Sequence, residues 1–183
     1  MRRSRNQKAE THDALIESAS RLFREKGIEA TSVGEVMAEA GLTHGGFYRH
    51  FANKDALAAE AIGHIFDGIL ADIEGQTEKP GQQQAVAEYL KFYLSKEHLL
   101  HPAFGCPIPT LAAEMARSPA PLRQAFGDNV NRTLDAIALG MKGDPNSARN
   151  AAMRELAMRV GAILIARACD EGTASQLLKA CQS

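Results

Sequence analysis

The 183-residue chain is 45% hydrophobic and 23% charged with a formal net charge of −1, a balance that excludes disordered and collagen-like sequence. A chain of this length can bury roughly 70% of its unfolded surface around one core and leaves little room for two large independent domains. No apolar run reaches the roughly 18 residues of a membrane span, the arginine-rich start has no hydrophobic stretch behind it, and cysteines 106, 169 and 181 make no disulfide framework; a cytoplasmic protein is expected.

The elements follow in chain order. Arg2, Arg3, Arg5 and Lys8 open the chain with no acid among the first eight residues, a basic arm that can hold a phosphate backbone or be solvated. Leu15, Ala19, Leu22 and Phe23 recur at helical spacing from about Thr11 to Lys26, with Gly27 where a left-handed turn would end the helix. Thr31 or Ser32 caps a second, two-turn helix whose Val33, Val36, Met37 and Ala40 share a face before Gly41. Thr43 is the cap candidate of a third short helix, with Leu42, Phe47 and Phe51 facing inward. Helix, glycine turn and helix at this length is helix-turn-helix geometry.

From Lys54 the pattern lengthens through Ile62, Ile65, Phe66, Ile69 and Ile73 to a break at 75–81, and Val86, Tyr89, Leu90 and Tyr93 form the next face. The prolines of the stretch from His98 to Pro109 predict an irregular connection. Helical pattern resumes over Leu111 to Arg117 and again to about Met141. Asp144 and Pro145 cap and open a helix to about Cys169, and a last helix after Gly172 carries Ala174, Leu177, Leu178 and Cys181. No convincing strand alternation occurs, so an all-α fold of about nine helices is predicted.

The segment Gly41 to Asp55 concentrates hydrogen-bond donors on a short helix, and here the sequence resembles the DNA-binding domain of TetR-type transcriptional regulators. The matching features are the alanine-rich first helix ending in Phe23 and Gly27, the Thr31 and Ser32 opening, and the run Gly41, Leu42, Phe47, Tyr48, His50, Phe51, Lys54 and Leu57. The resemblance covers about Ala9 to Leu57; beyond it only the helical layout is similar. The expected division is 1–55 for DNA binding and 56–183 for ligand binding and dimerisation. Thr43, His44 and Gly45, at the helix start, would enter the major groove, where base edges carry distinguishable donor and acceptor patterns. The resemblance implies phosphate contacts for Tyr48, His50 and Lys54, and Ser32 could add its hydroxyl and amide. Arg49 could touch phosphate or be solvated. Gly46 would let two helices cross tightly and Gly45 would let backbone approach the bases.

No phosphate loop, nucleophile elbow or paired-histidine protease motif occurs, so no catalytic residue and no cofactor is expected. The alternative is a helical metal-binding protein or enzyme using His98, His101 and Cys106, with Glu97 as a fourth ligand. Cys106 could be buried, or activated as a thiolate at a helix start. Resemblance to the family implies a ligand cavity, for which Phe66, Tyr89, Tyr93, Phe104, Cys106 and Phe126 are the candidates. It also implies a homodimer, pairing through the last two helices with Leu156, Val160, Gly161, Ala162, Leu164, Ala166 and Ala168 at the contact. The expected partners are double-stranded operator DNA, a small-molecule inducer and a second copy of the chain, and the expected function is a repressor released from its operator by that inducer.

Overall fold

A computed structural model describes the backbone of residues 2–75 and 81–182, and their side chains apart from 2–6, 44, 45 and 75. Among the described residues the fold is all-α, with nine α-helices, two short 3-10 segments and no strand. The side chains of Arg2, Arg3, Arg5, His44 and Gly45, and Pro80 within the 75–81 break, lie outside the described residues.

Helix α1 runs Arg2–Lys26, nine residues further toward the amino terminus than its apolar pattern predicts. Its first turns carry no inward stripe, so hydrophobic period gives no sign of them; the polar residues there still have adequate helix propensity to continue a helix whose nucleus is fixed further on. Leu15, Ala19 and Phe23 are fully buried. Gly27 ends α1 at φ 92°, a left-handed conformation that costs a residue with a Cβ.

Helix α2 spans Val33–Glu39 and is capped by Ser32, whose hydroxyl accepts from the Glu35 amide while the Glu35 carboxylate accepts from the Ser32 amide, a reciprocal box. Thr31 is instead buried, its hydroxyl donating to the Gly27 carbonyl at 2.7 Å. Gly41, at φ 69°, reverses the chain. The expected third α-helix is a 3-10 segment, His44–Arg49. Six residues containing two glycines offer too little propensity for a 13-atom ladder to persist, and the tighter i to i+3 bonds satisfy the ends.

Helix α3, Lys54–Gly75, is the centre of the molecule. It packs on α1, on α4 (Gln82–Tyr93) and on α7 (Ala120–Leu139), and the boundary expected at 55/56 falls in its first turn. Leu57, Ile62, Phe66 and Ile73 are buried along it. Polar ties fix α1 against it: Ser20 donates to the Ala61 carbonyl at 3.2 Å, and His12 and His64 each meet a carboxylate across the pair, Glu60 and Glu17, at 2.9 Å.

The 98–109 stretch is more ordered than its prolines suggest. Helix α5 (Lys96–Leu100) is capped by Ser95, a 3-10 turn covers Pro102–Phe104, and α6 is Ile108–Met115. Each proline sits at an element start, where its missing amide costs nothing. Helix α8 (Pro145–Arg167) has the expected Asp144 cap. Helix α9 (Glu171–Ala180) starts before Gly172, because Asp170 accepts from the Thr173 amide. On α8 Leu156, Ala162, Ile163 and Ala166 are buried within the protomer, and Val160 packs against the same core. The expected dimer contact is therefore corrected at Leu156, Ala162 and Ala166, which already serve the monomer core.

Candidate nucleic-acid interface and cavity

Phe47 and Phe51 are 1% and 2% exposed, and with Val36 and Met37 they form the apolar floor on which the helix-turn-helix rests. Stacked on that floor, Tyr48 is 78% exposed, its ring edge-on to Phe47 at 5.4 Å. An aromatic ring this exposed on a rigid element is available to a partner surface. Thr43 precedes the 3-10 segment and makes no capping hydrogen bond, so its hydroxyl is not committed there. A Cβ on Gly46 would meet only Met37 Cε at 3.6 Å, ordinary contact, so the tight crossing expected at this glycine is not what places it there.

Of three other candidates, Ser32 and Lys54 have intramolecular hydrogen-bond partners and His50 does not. The Ser32 hydroxyl donates to Glu35 at 2.8 Å and its amide donates to the same carboxylate at 2.7 Å. Glu35 also pairs with Lys26 at 2.6 Å; this bond, then those from Ser32, hold its carboxyl at about 2. The α2 start is thus occupied by a fixed negative charge. Lys54 donates to the Glu29 carbonyl at 3.3 Å, which holds its ammonium beside the turn before α2. His50 is half-buried with Nδ1 lacking a partner; burial lowers its pKa, with the charges of His12, Lys8 and Arg49 acting in the same direction.

Those neighbours outline a feature the sequence reading did not assemble. Lys8 and Thr11 of α1 line one recess with Gly46, Arg49 and His50 of the 3-10 segment, a cationic hollow suited to a phosphate. Lys8 and Thr11 stand three residues apart on one helix face, but that signal requires knowing that α1 extends through them.

A cavity of about 420 Å³ lies in the helical body. Tyr89, Tyr93, Phe104 and Cys106 line it, together with Asp72, Glu88 and Phe92, which sequence reasoning did not select. Phe66 and Phe126 are not in its lining; they meet edge-on at 5.8 Å in the core. The hydroxyls of Tyr89 and Tyr93 are buried without a hydrogen-bond partner, a condition that costs about 1–3 kcal/mol per group. Burial raises both phenols well above their ordinary pKa, and neighbouring Cys106 adds to the effect.

His98 forms the cavity's rear wall. Its Nδ1 meets the Tyr93 carbonyl at 2.7 Å and its Nε2 accepts from the Cys106 amide at 3.0 Å. These partners fix the neutral tautomer with its proton on Nδ1. The lone pair a metal would need is therefore used, His101 and Glu97 are exposed, and no group of three ligating side chains occurs among the described residues. Of the two readings of Cys106, the structure shows burial: the thiol is buried, and desolvation pushes its pKa up.

Residues 15–61 match the family described as bacterial regulatory proteins, tetR family. The regulator AcrR of Shigella flexneri is 32% identical over 87 residues, 46% of this chain and 40% of that protein. Over residues 15–61 the chain is thus similar to TetR-family DNA-binding domains. YxaF of Bacillus subtilis, described as an uncharacterised HTH-type transcriptional regulator, is 28% identical over 120 residues, 63% of this chain and 62% of the relative. Matches to these curated relatives thus span less than two thirds of their lengths. A TetR-family regulator from Cytophaga hutchinsonii superposes with a TM-score of 0.74 at 22% identity, covering 96% of this chain and 93% of the other; at that identity the likeness concerns the fold. AcrR, and LmrA of Bacillus subtilis at 28% identity over 120 residues, are both described as HTH-type transcriptional regulators.

Proposed function

We propose that this chain is a TetR-type homodimeric DNA-binding repressor, with residues 1–55 binding operator DNA and residues 56–183 binding a small inducer and a second copy. The observation that carries the reading is the exposed Tyr48, edge-on to the buried Phe47, next in sequence to Arg49 and His50, which line a recess with Lys8. Thr43, His44 and Gly45 supply the base-reading end and Tyr48, His50 and Lys54 the phosphate contacts. Ser32 contributes through Glu35 and Lys26, by fixing α2, instead of by a free hydroxyl.

A physical link between the two parts supports ligand response. The Glu114 carboxylate of α6 accepts from the Ile28 amide at 2.8 Å and the Glu29 amide at 3.4 Å. Arg24 of α1 donates to Gly105 at 3.3 Å, beside the cavity wall. An occupant that favours one position of α5 and α6 would thereby bias the turn before α2. Pairing of protomers is supported by the α8 face on which Met158, Leu164 and Ile165 are exposed around the half-buried Gly161.

Selecting bound duplexes from a random pool tests the reading. A two-fold site should emerge, and three or four neutralised phosphates per subunit should give a slope of log affinity against log salt of about −5 to −7. Tyr48→Ala should weaken binding to every selected duplex, whereas His44→Ala should relax preference at one position per half-site. An unchanged operator affinity in Tyr48→Ala would remove this face from the interface.

A further inference from the structure

We propose that the cavity between α3, α4 and the 98–106 segment selects a small aromatic cation carrying a neutral hydrogen-bond acceptor. The inference rests on the reading of residues 56–183 as a ligand domain and specifies its ligand chemistry.

The walls divide into a neutral inner part and an acidic rim. Inside, Tyr93 is 1% exposed, and its hydroxyl and that of Tyr89 are buried with only the Cys106 thiol, a weak acceptor, beside them. Both stay protonated, so the inner wall offers two O–H donors that a carbonyl, ether or ring-nitrogen acceptor would satisfy. His98 and the buried Cys106 thiol add no charge. Arg24 and Arg167 lie behind this wall and do not line the cavity; Arg24 donates to the Ser20 and Gly105 carbonyls, and Arg167 to those of Leu99 and His98.

At the rim stand the exposed carboxylates of Asp72 and Glu88, with no lysine or arginine in the lining. Glu88 accepts from Gln84 at 3.0 Å, and among the described residues neither carboxylate is in an ion pair. Phe92 and Phe104 complete the rim and are 50% and 69% exposed, large rings kept in water at a cavity mouth. Ring faces and carboxylates both attract a positive charge, and together they repel an anion. A volume of about 420 Å³ admits a two-ring molecule, at the small end of ligand sites.

Three probes of one shape test the assignment: 6-methoxy-1-methylquinolinium, its uncharged isostere 6-methoxy-1-methylnaphthalene, and the anion 6-methoxy-1-naphthoate. Titrated into the full chain, the cation should bind about tenfold more tightly than the isostere and the anion more weakly than either. Asp72→Asn with Glu88→Gln, both at the exposed rim, should reduce the cation preference several-fold, leaving the smaller part owed to the Phe92 and Phe104 rings, and should lower the cation's affinity more than the isostere's. Tyr93→Phe should weaken cation and isostere about equally, because it removes the shared acceptor contact. Binding of the isostere or the anion as tightly as the cation, a preference undiminished in the double variant, or no binding by any probe would overturn the proposal. Operator release separates it from the underlying reading. Cation binding without release would sink ligand response and keep this chemistry, whereas release by a neutral or anionic compound whose binding Tyr93→Phe abolishes would do the reverse.

Discussion

His98 shows how a residue of catalytic type can be fully absorbed by structure. Its ring joins the end of α4 to the Cys106 amide, and the fit is close enough that a Cβ on Gly105 would collide with the ring. Burial lowers its pKa and the nearby Arg167 adds to that, against an opposing pull from the Tyr93 carbonyl. A depressed histidine pKa means that the unfolded chain binds the proton more readily, so stability should be constant above the unfolded value of about 6.5 and fall as pH drops through it, levelling below the folded value. His50 shifts in the same direction and adds to this slope. In urea titrations between pH 7.5 and 5.5, His98→Gln should be less stable at pH 7.5 by about 1–3 kcal/mol and show a flatter pH dependence than the parent. A parent whose stability rises toward pH 5.5 would refute the neutral assignment. In the sequence the spacing of His98, His101 and Cys106 looked like a ligand set, because spacing does not reveal that Nε2 faces a backbone amide.

At the scale of elements, what could be read depended on whether a helix announced itself by packing or by end chemistry. Asp144 and Pro145 mark the start of α8 by local rules, and the stripe of α3 marks its buried face, so both were legible. The start of α1 was not, having no inward stripe, nor was α5, whose five residues are held by Ser95 and the buried His98. The recess at Lys8 went unseen for the same reason as the first turns of α1. The link through Glu114 is tertiary: 86 residues separate it from Ile28, and no local pattern predicts a carboxylate beneath that turn. Replacing it by alanine leaves the Ile28 amide without its acceptor. Glu114→Ala should therefore lower unfolding free energy by about 1–3 kcal/mol and uncouple operator affinity from cavity occupancy, read as equal operator dissociation constants with and without a bound ligand. Retention of full coupling in a folded Glu114→Ala protein would place the connection elsewhere.

For the whole molecule the proposed dimer needs a face that could meet a second copy. An all-α architecture was legible because helical period and glycine punctuation agree along the chain, but composition could not separate a core-facing from a partner-facing stripe on α8, where both are small and aliphatic. The structure divides them. Leu156, Ile163 and Ala166 turn inward, while Leu164 and Ile165 are each 53% exposed and Met158 is 39% exposed. Gly161 stands between them with open space where a Cβ would be, room for another helix to approach closely. Two-fold pairing of this face would place each such stripe against its own copy, and each buried leucine or isoleucine would contribute about 1.5–3 kcal/mol. Leu164→Glu with Ile165→Glu puts four carboxylates into that contact and touches no core side chain, unlike a change at Val160. The double variant should sediment as a folded monomer with helical content unchanged, and its operator affinity should fall to that of a single half-site, because two recognition segments then no longer arrive together. A dimer that persists in the double variant would move the interface off α8.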